Sequence, residues 1–226
     1  MIKLSKIKKE QAQQKNIYID LNCDIAESSD DDINIKENSL IPYVSSVNIS
    51  CGVHSGDQVK IIEAIKTAKI HSLCVGAHIG YPKSIEESVK EKELTFEQLE
   101  AMVMFQIGAL KAIAASYKMN VDFVRPHGYM YQQLVEDAAF GIQLARAIES
   151  IDSWLILVGP LSNVLDTIKE ETKIRVAPEI CVDKYYDKKG RLLPNQRIDN
   201  IDTIKSVASK LIKENKLITK DGTLLE

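Results

Sequence analysis

Ile17-Tyr18-Ile19-Asp20-Leu21-Asn22-Cys23-Asp24-Ile25-Ala26-Glu27 begins as a short apolar alternation and runs directly into acids and amides. Its first half, 17–22, reads as a strand, and its second half as a polar strand end. The pattern recurs down the chain. Ser46-Val47-Asn48-Ile49-Ser50 leads into Cys51-Gly52-Val53-His54-Ser55-Gly56-Asp57, Leu73-Cys74-Val75-Gly76-Ala77 into His78, and Val121-Asp122-Phe123-Val124-Arg125 into Pro126-His127-Gly128. Trp154-Leu155-Ile156-Leu157-Val158 is a continuous apolar run that suits a parallel strand covered on both faces, and Ile174-Arg175-Val176-Ala177 reads as a sixth strand.

Helical spacing fills the intervals. Asp57 can cap a helix over 58–68, with Ile61, Ile62 and Ile65 on one face. Thr95 and Gln98 form a capping box before Leu99, Met102, Val103, Ile107, Leu110 and Ile113. Further helices are predicted over 131–148 and 201–214. The polar stretch 82–94 and the segment 183–196, with its Lys189-Gly190 turn, read as connections, the second a long irregular loop. Asp221-Gly222 marks a hairpin over 217–225. Strand–helix alternation predicts an α/β fold with a mainly parallel sheet, either doubly wound or closed as a barrel. The division expected is an extension over 1–16 and one domain over 17–226.

The 226 residues suffice for one large domain, which buries roughly 70% of its unfolded surface without disulfides. A formal net charge of −3 predicts no general attraction to nucleic acid or anionic membranes. Cys23, Cys51, Cys74 and Cys181 match neither a zinc-finger spacing nor a redox pair, and are expected to be buried, reduced thiols. The basic N-terminus lacks an apolar h-region, so a cytoplasmic location is expected.

Parallel α/β folds bind ligands at the carboxyl ends of their strands. Three of the four histidines, His54, His78 and His127, follow predicted strands, whereas His71 precedes one and reads as a helix-end residue. Asp20, Asn22 and Asp24 are two residues apart and share one side of a strand. A barrel interior demands a cation, a metal or hydrogen bonds for such groups. A polar network tying strands together would satisfy them, as would a site. Two chemistries fit: acid–base catalysis by His and carboxylate on a water nucleophile, or a mononuclear metal held by Asp24, His54, His78 and His127. Cys23 and Cys51 lie in no nucleophile motif. Neither a glycine-rich dinucleotide fingerprint nor a P-loop is present.

The segments DLNCDIAE (20–27), VNISCGVHSGD (47–57), VGAHIGYP (75–82), FQIGALKAIA (105–114), VRPHGYMYQQ (124–133) and LILVG (155–159) resemble the lactam-utilisation (LamB/YcsF) family. Members of that family serve as the A component of bacterial ATP-dependent 5-oxoprolinase. The resemblance implies a seven-stranded, deacetylase-like β/α barrel. It implies opening of 5-oxoproline to glutamate using ATP with Mg2+, together with subunits B and C. By motif it assigns catalysis to Asp24, Glu27, His54, Asp57 and His127. Substrate contact falls to Asp20, Asn22, Asn48, His78, Arg125, Asp183 and Tyr186.

The chain departs from the family at several points. Ala26 stands where a glycine is usual. Tyr81-Pro82-Lys83-Ser84-Ile85-Glu86 lacks the arginines expected after the third strand, and Lys184 and Asn195 replace two more. The sequence stops at Glu226, before the family's last strand with its His-Gly-Asp motif. These departures set two rivals beside the oxoprolinase reading: a metal-dependent hydrolase or deacetylase of an N-acyl or carbohydrate substrate, and a catalytically silent partner protein.

Overall fold

The structure, a computed structural model, describes residues 19–28, 38–91, 94–188 and 190–225; the 1–16 extension and the start of the first predicted strand lie outside them. Six parallel strands, β1 (Asn22–Ile25), β2 (Ser46–Ser50), β3 (Cys74–Ile79), β4 (Phe123–Pro126), β5 (Ile156–Pro160) and β6 (Arg175–Glu179), pair in chain order. The connecting helices are α1 (Gln58–Ile70), α2 (Lys83–Glu91), α3 (Phe96–Ser116), α4 (Gly128–Glu136), α5 (Ala138–Ile151) and α6 (Asn163–Glu171). A β-hairpin of β7 (Lys184–Tyr186) and β8 (Leu192–Arg197) follows, then α7 (Ile201–Glu214) and a short antiparallel pair, β9 (Leu217–Ile218) with β10 (Leu224–Leu225).

The register explains how one sequence supplies both a core and a polar interior. Ile25, Ile49, Ala77, Val124, Leu157 and Val176 lie side by side on the outward face, under the helices. The first five are buried, and each large side chain among them contributes about 1.5–3 kcal/mol of burial. The alternate row, Asp24, Asn48, Gly76, Phe123, Ile156 and Arg175, faces the other way. A Cβ on Gly76 would fall 2.1 Å from the Phe123 ring, so glycine is what admits that ring.

The sheet curls. Neighbouring strands lie about 4.8 Å apart, which would put β1 and β4 roughly 14 Å apart in a flat sheet. Yet Asp24 of β1 is 3.3 Å from Arg125 of β4, and Arg125 is 2.8 Å from Glu179 of β6. Six strands curled this way, with helices outside, form a TIM-like α/β barrel.

The first strand starts later than the sequence predicts. Residues 19–21 precede it, and Asn22-Cys23-Asp24-Ile25 form it, because pairing with Ser46–Ile49 satisfies even this weakly β-prone stretch. The helix expected over 131–148 is two. Asp137 ends α4 and caps α5 by accepting from the Phe140 N–H. The 82–94 connection contains α2, and the 183–196 loop is the β7–β8 hairpin, with residue 189 outside the described set. The capping box at Thr95 and Gln98 opens α3. α3 is long and apolar enough to pass for a membrane span by composition. Its Leu99, Val103, Ile107, Leu110 and Ala114 are buried in the core. Of the cysteines, Cys51 is buried, Cys23 and Cys181 are partly covered, and Cys74 is exposed, against expectation.

Candidate active site

Polar residues inside the curl form layers that run from the amino to the carboxyl ends of the strands. At the bottom, Asp20 accepts hydrogen bonds from the hydroxyls of Ser45 (2.5 Å) and Ser46 (2.6 Å). Asn22 donates to Ser46 (2.8 Å) and exchanges hydrogen bonds with Asn48, which is fully buried. Asn48 in turn donates to Asp24 (2.6 Å). Asp20 precedes the first strand and therefore sits at the end opposite the histidines. Asp20 and Asn22 build the network that ties β1 to β2, so the structure does not place them with the strand-end cluster.

Above them Arg125 takes a carboxylate on each side. Its Nε donates to both oxygens of Glu179 (2.8 and 3.0 Å), its Nη2 lies 2.8 Å from Glu179, and its Nη1 reaches Asp24 at 3.3 Å. The guanidinium also lies over the Tyr131 ring, 5.0 Å from its centre. Burial alone would lower the arginine's affinity for its proton, but the Asp24 and Glu179 charges more than reverse this. Burial likewise pushes Asp24 up, and His78, Arg125 and the Asn48 hydrogen bond together bring it down to about 2. Within the chain Arg125 is thus paired with two carboxylates, Asp24 and Glu179.

At the mouth three imidazoles and one carboxylate meet. His78, fully buried at the end of β3, has Nδ1 2.9 Å from the Arg125 carbonyl oxygen. A carbonyl accepts only, so Nδ1 carries a proton, and in the neutral ring Nε2 presents a lone pair. That lone pair lies 3.0 Å from His127 Nδ1, 3.3 Å from Glu27 Oε1 and 3.7 Å from Asp24. His127 Nδ1 is 3.5 Å from the same Glu27 oxygen, and His54 Nε2 is 4.0 Å from it. The rings of His54 and His127 stack at 4.3 Å. Burial, then the neighbouring His78 and His127, hold His54 down at about 2; burial and His78 also lower His127. Both are neutral at physiological pH. Glu27, His54, His78 and His127 offer one ligand atom each within 4.8 Å of one another, a group able to hold a metal ion. Glu27 takes the place in this group that the sequence reading gave to Asp24.

The backbone aims these side chains. Ala26 adopts φ 59°, the left-handed region that favours glycine, which is the family's usual residue there. The turn this creates swings Glu27 out of the β1 line. Gly56 (φ +80°) brings the loop after β2 against it: a Cβ at 56 would lie 2.5 Å from the Ala26 carbonyl oxygen. His54 rests on Gly80, where a Cβ would be 3.0 Å from the ring. Gly80 is held in turn by its N–H donating to the buried Gln106 side chain at 2.9 Å.

The remaining assigned residues serve elsewhere. Asp57 caps α1, its Oδ1 accepting from the Val59 and Lys60 N–H groups. Asp183 accepts from Arg197 at 3.2 Å, and the buried Tyr186 hydroxyl accepts from the Cys181 N–H at 2.8 Å, so both fasten the hairpin. His71 is the C-cap of α1. The sequence reading missed Glu179, which the strand-end rule would have found had β6 been carried two residues beyond Ala177. It also missed Glu86, which accepts from the Tyr129 N–H at 3.1 Å at the start of α4.

Fold and site together define a TIM-like barrel with a His–carboxylate cluster at its strand ends. The LamB/YcsF family model matches residues 19–226, and the chain belongs to that family. Relatives named as the A component of 5-oxoprolinase include one from Staphylococcus carnosus (strain TM300), 30% identical over 93% of this chain and 85% of its own length. Another, from Staphylococcus haemolyticus (strain JCSC1435), is 32% identical over 90% and 83%. The crystal structure of a lactam utilization protein from Thermus thermophilus superposes with a TM-score of 0.80 at 30% identity, covering 92% of this chain and 86% of that one.

Proposed function

We propose that this chain is the A component of a cytoplasmic, ATP-dependent 5-oxoprolinase that opens 5-oxoproline to glutamate. The observation that carries the reading is the meeting of Glu27, His54, His78 and His127 at the barrel mouth, in a chain whose relatives bear that name. An unactivated lactam is a poor electrophile because amide resonance protects its carbonyl. ATP, with Mg2+, would supply the γ-phosphoryl group to the amide oxygen, with ADP leaving and the lactam nitrogen giving up its proton. Water would then add to that carbon, its proton passing to a group at the barrel mouth. The ring C–N bond breaks, the nitrogen gains a proton, and a second water releases phosphate from the acyl phosphate.

The ATP-handling groups come from subunits B and C. Arg125 already pairs with both Asp24 and Glu179, which weakens what it can offer a phosphate. The β7–β8 hairpin, with Tyr185, Lys188 and Arg191, is the proposed docking face. Glutamate release from 5-oxoproline and ATP tests this with the chain alone, with B and C alone, and with all three. Turnover is expected only in the full mixture, and Asp24→Asn or His54→Ala should abolish it. Robust turnover by the chain alone would refute the partner requirement. No turnover in any mixture would favour a silent homologue.

A further inference from the structure

We propose that Glu27, His54, His78 and His127 form a mononuclear site for a divalent transition metal of the zinc class, with Asp24 outside the ligand set. The inference goes beyond the reaction above and stands on geometry alone. A tetrahedral zinc ion with bonds of about 2.0–2.1 Å to nitrogen and oxygen has ligand atoms roughly 3.3 Å apart. The separations at the mouth are 3.0 Å (His78 Nε2 to His127 Nδ1), 3.3 Å (His78 Nε2 to Glu27 Oε1), 3.5 Å (His127 Nδ1 to Glu27 Oε1) and 4.0 Å (His54 Nε2 to Glu27 Oε1). The three edges among His78, His127 and Glu27 are within about 0.3 Å of that spacing, and His54 stands somewhat further out at 4.0 Å.

Proton bookkeeping points the same way. His78 spends its Nδ1–H on the Arg125 carbonyl, so in the neutral ring its Nε2 can only accept. His127 Nδ1 lies 3.0 Å from this lone pair, and the Glu27 oxygen lies in reach of both nitrogens. A dication placed between them would be ligated by the His78 lone pair and the Glu27 oxygen together and would add His54. His54 is 5% exposed, and its Nδ1 is buried with no hydrogen-bond partner, so this ring is not held by hydrogen bonding at both nitrogens. The His78–carbonyl contact is the kind of outer support that fixes a ligating imidazole's tautomer. Asp24 is closest to His78 at 3.7 Å, and its oxygens are taken by Asn48 and Arg125. It is a positioning group beneath the site. The preference for a zinc-class ion follows from a three-imidazole, one-carboxylate set, which suits zinc, cobalt or nickel better than magnesium or calcium.

The test is metal binding by the isolated full chain, without substrate or ATP, so its result is independent of whether the chain turns over 5-oxoproline. After chelator treatment, Zn2+ is titrated calorimetrically, and Co2+ is followed by visible absorption. One equivalent per chain is expected, with Co2+ bands of a nitrogen–oxygen site. Glu27→Gln and His127→Ala should each weaken binding at least 100-fold, while Asp24→Asn changes it less than tenfold. His127 is the most exposed of the four, at 42% of its side chain, so its variant is the least prone to misfold; thermal melts in chelator check that each variant is folded. Absence of saturable binding to Zn2+, Co2+ and Ni2+ overturns the proposal. So does a thiolate charge-transfer band, which would place the ion on a cysteine, or an Asp24→Asn loss as large as that of Glu27→Gln.

Discussion

Replacing Arg125 by Met tests whether the guanidinium is chiefly structural. The Met side chain keeps most of the stem volume, so the packing change should cost under about 1.5 kcal/mol. The electrostatic change is larger. Arg125 is 14% exposed and Glu179 18% exposed, and the variant leaves Glu179 and Asp24 facing each other without a cation. Breaking a buried pair by removing one partner costs about 3–5 kcal/mol. For a chain of this length that is a fall in melting temperature of roughly 6–20 °C. Urea unfolding at neutral pH measures it directly. Adding Asp24→Asn and Glu179→Gln to Arg125→Met should then recover most of the loss, since amides carry no charge to strand. Coupling of that sign is the signature of a shared network. The reasoning fails if Arg125→Met lies within about 1 kcal/mol of wild type, or if the triple variant is no more stable than the single one.

Gly76→Ala should destabilise by about 1–3 kcal/mol through overpacking, because its methyl would overlap the Phe123 ring; Phe123→Leu in the same background should relieve part of the cost. Acid should destabilise the metal-free protein well before its carboxylates titrate. His54 has a folded pKa of about 2 against an ordinary 6.5, so the unfolded state binds more protons between those values, and stability falls as pH drops below 6.5. The loss from this group is about 1.4 kcal/mol per pH unit below 6.5, and it should be smaller in His54→Phe, where only the lowered His127 still contributes. Asp24 adds a further loss only as pH falls through 3.8 towards 2.

The sequence made the sheet legible where apolar runs were long. β2 and α7 fall at their expected residues, and β3 to β6 within about two. The errors have local causes. β1 is polar because its inward residues bond to Ser46 and Asn48 across the strand pair, and such partners are invisible in a linear reading. The same blindness gave Asp20 and Asn22 a place beside the histidines. Their spacing gives the correct face, but distance along the strand axis depends on where the strand starts. Glu27 could be named from its motif, yet its entry into the histidine group depends on a left-handed turn at Ala26, a residue that does not advertise one. Asp57 shows the opposite case: the cap that its position before a helix predicts is formed.

Among the described strands, β1 and β6 are the edges of the sheet, and Arg125 reaches to both through Asp24 and Glu179. The seam of the barrel is therefore stitched by one side chain and not by a ladder of backbone hydrogen bonds. A ladder opens only when several bonds break together, whereas a stitch of this kind yields to any change that neutralises a single carboxylate. The mouth above it carries the histidine cluster. Widening of the seam would move Glu27 on β1's side away from His127 on β4's side, so the integrity of the cluster and the closure of the barrel are governed by the same guanidinium. Amide exchange along β1 and β6 should accordingly respond to what occupies the mouth, while exchange in β3, flanked on both sides by neighbours, should not.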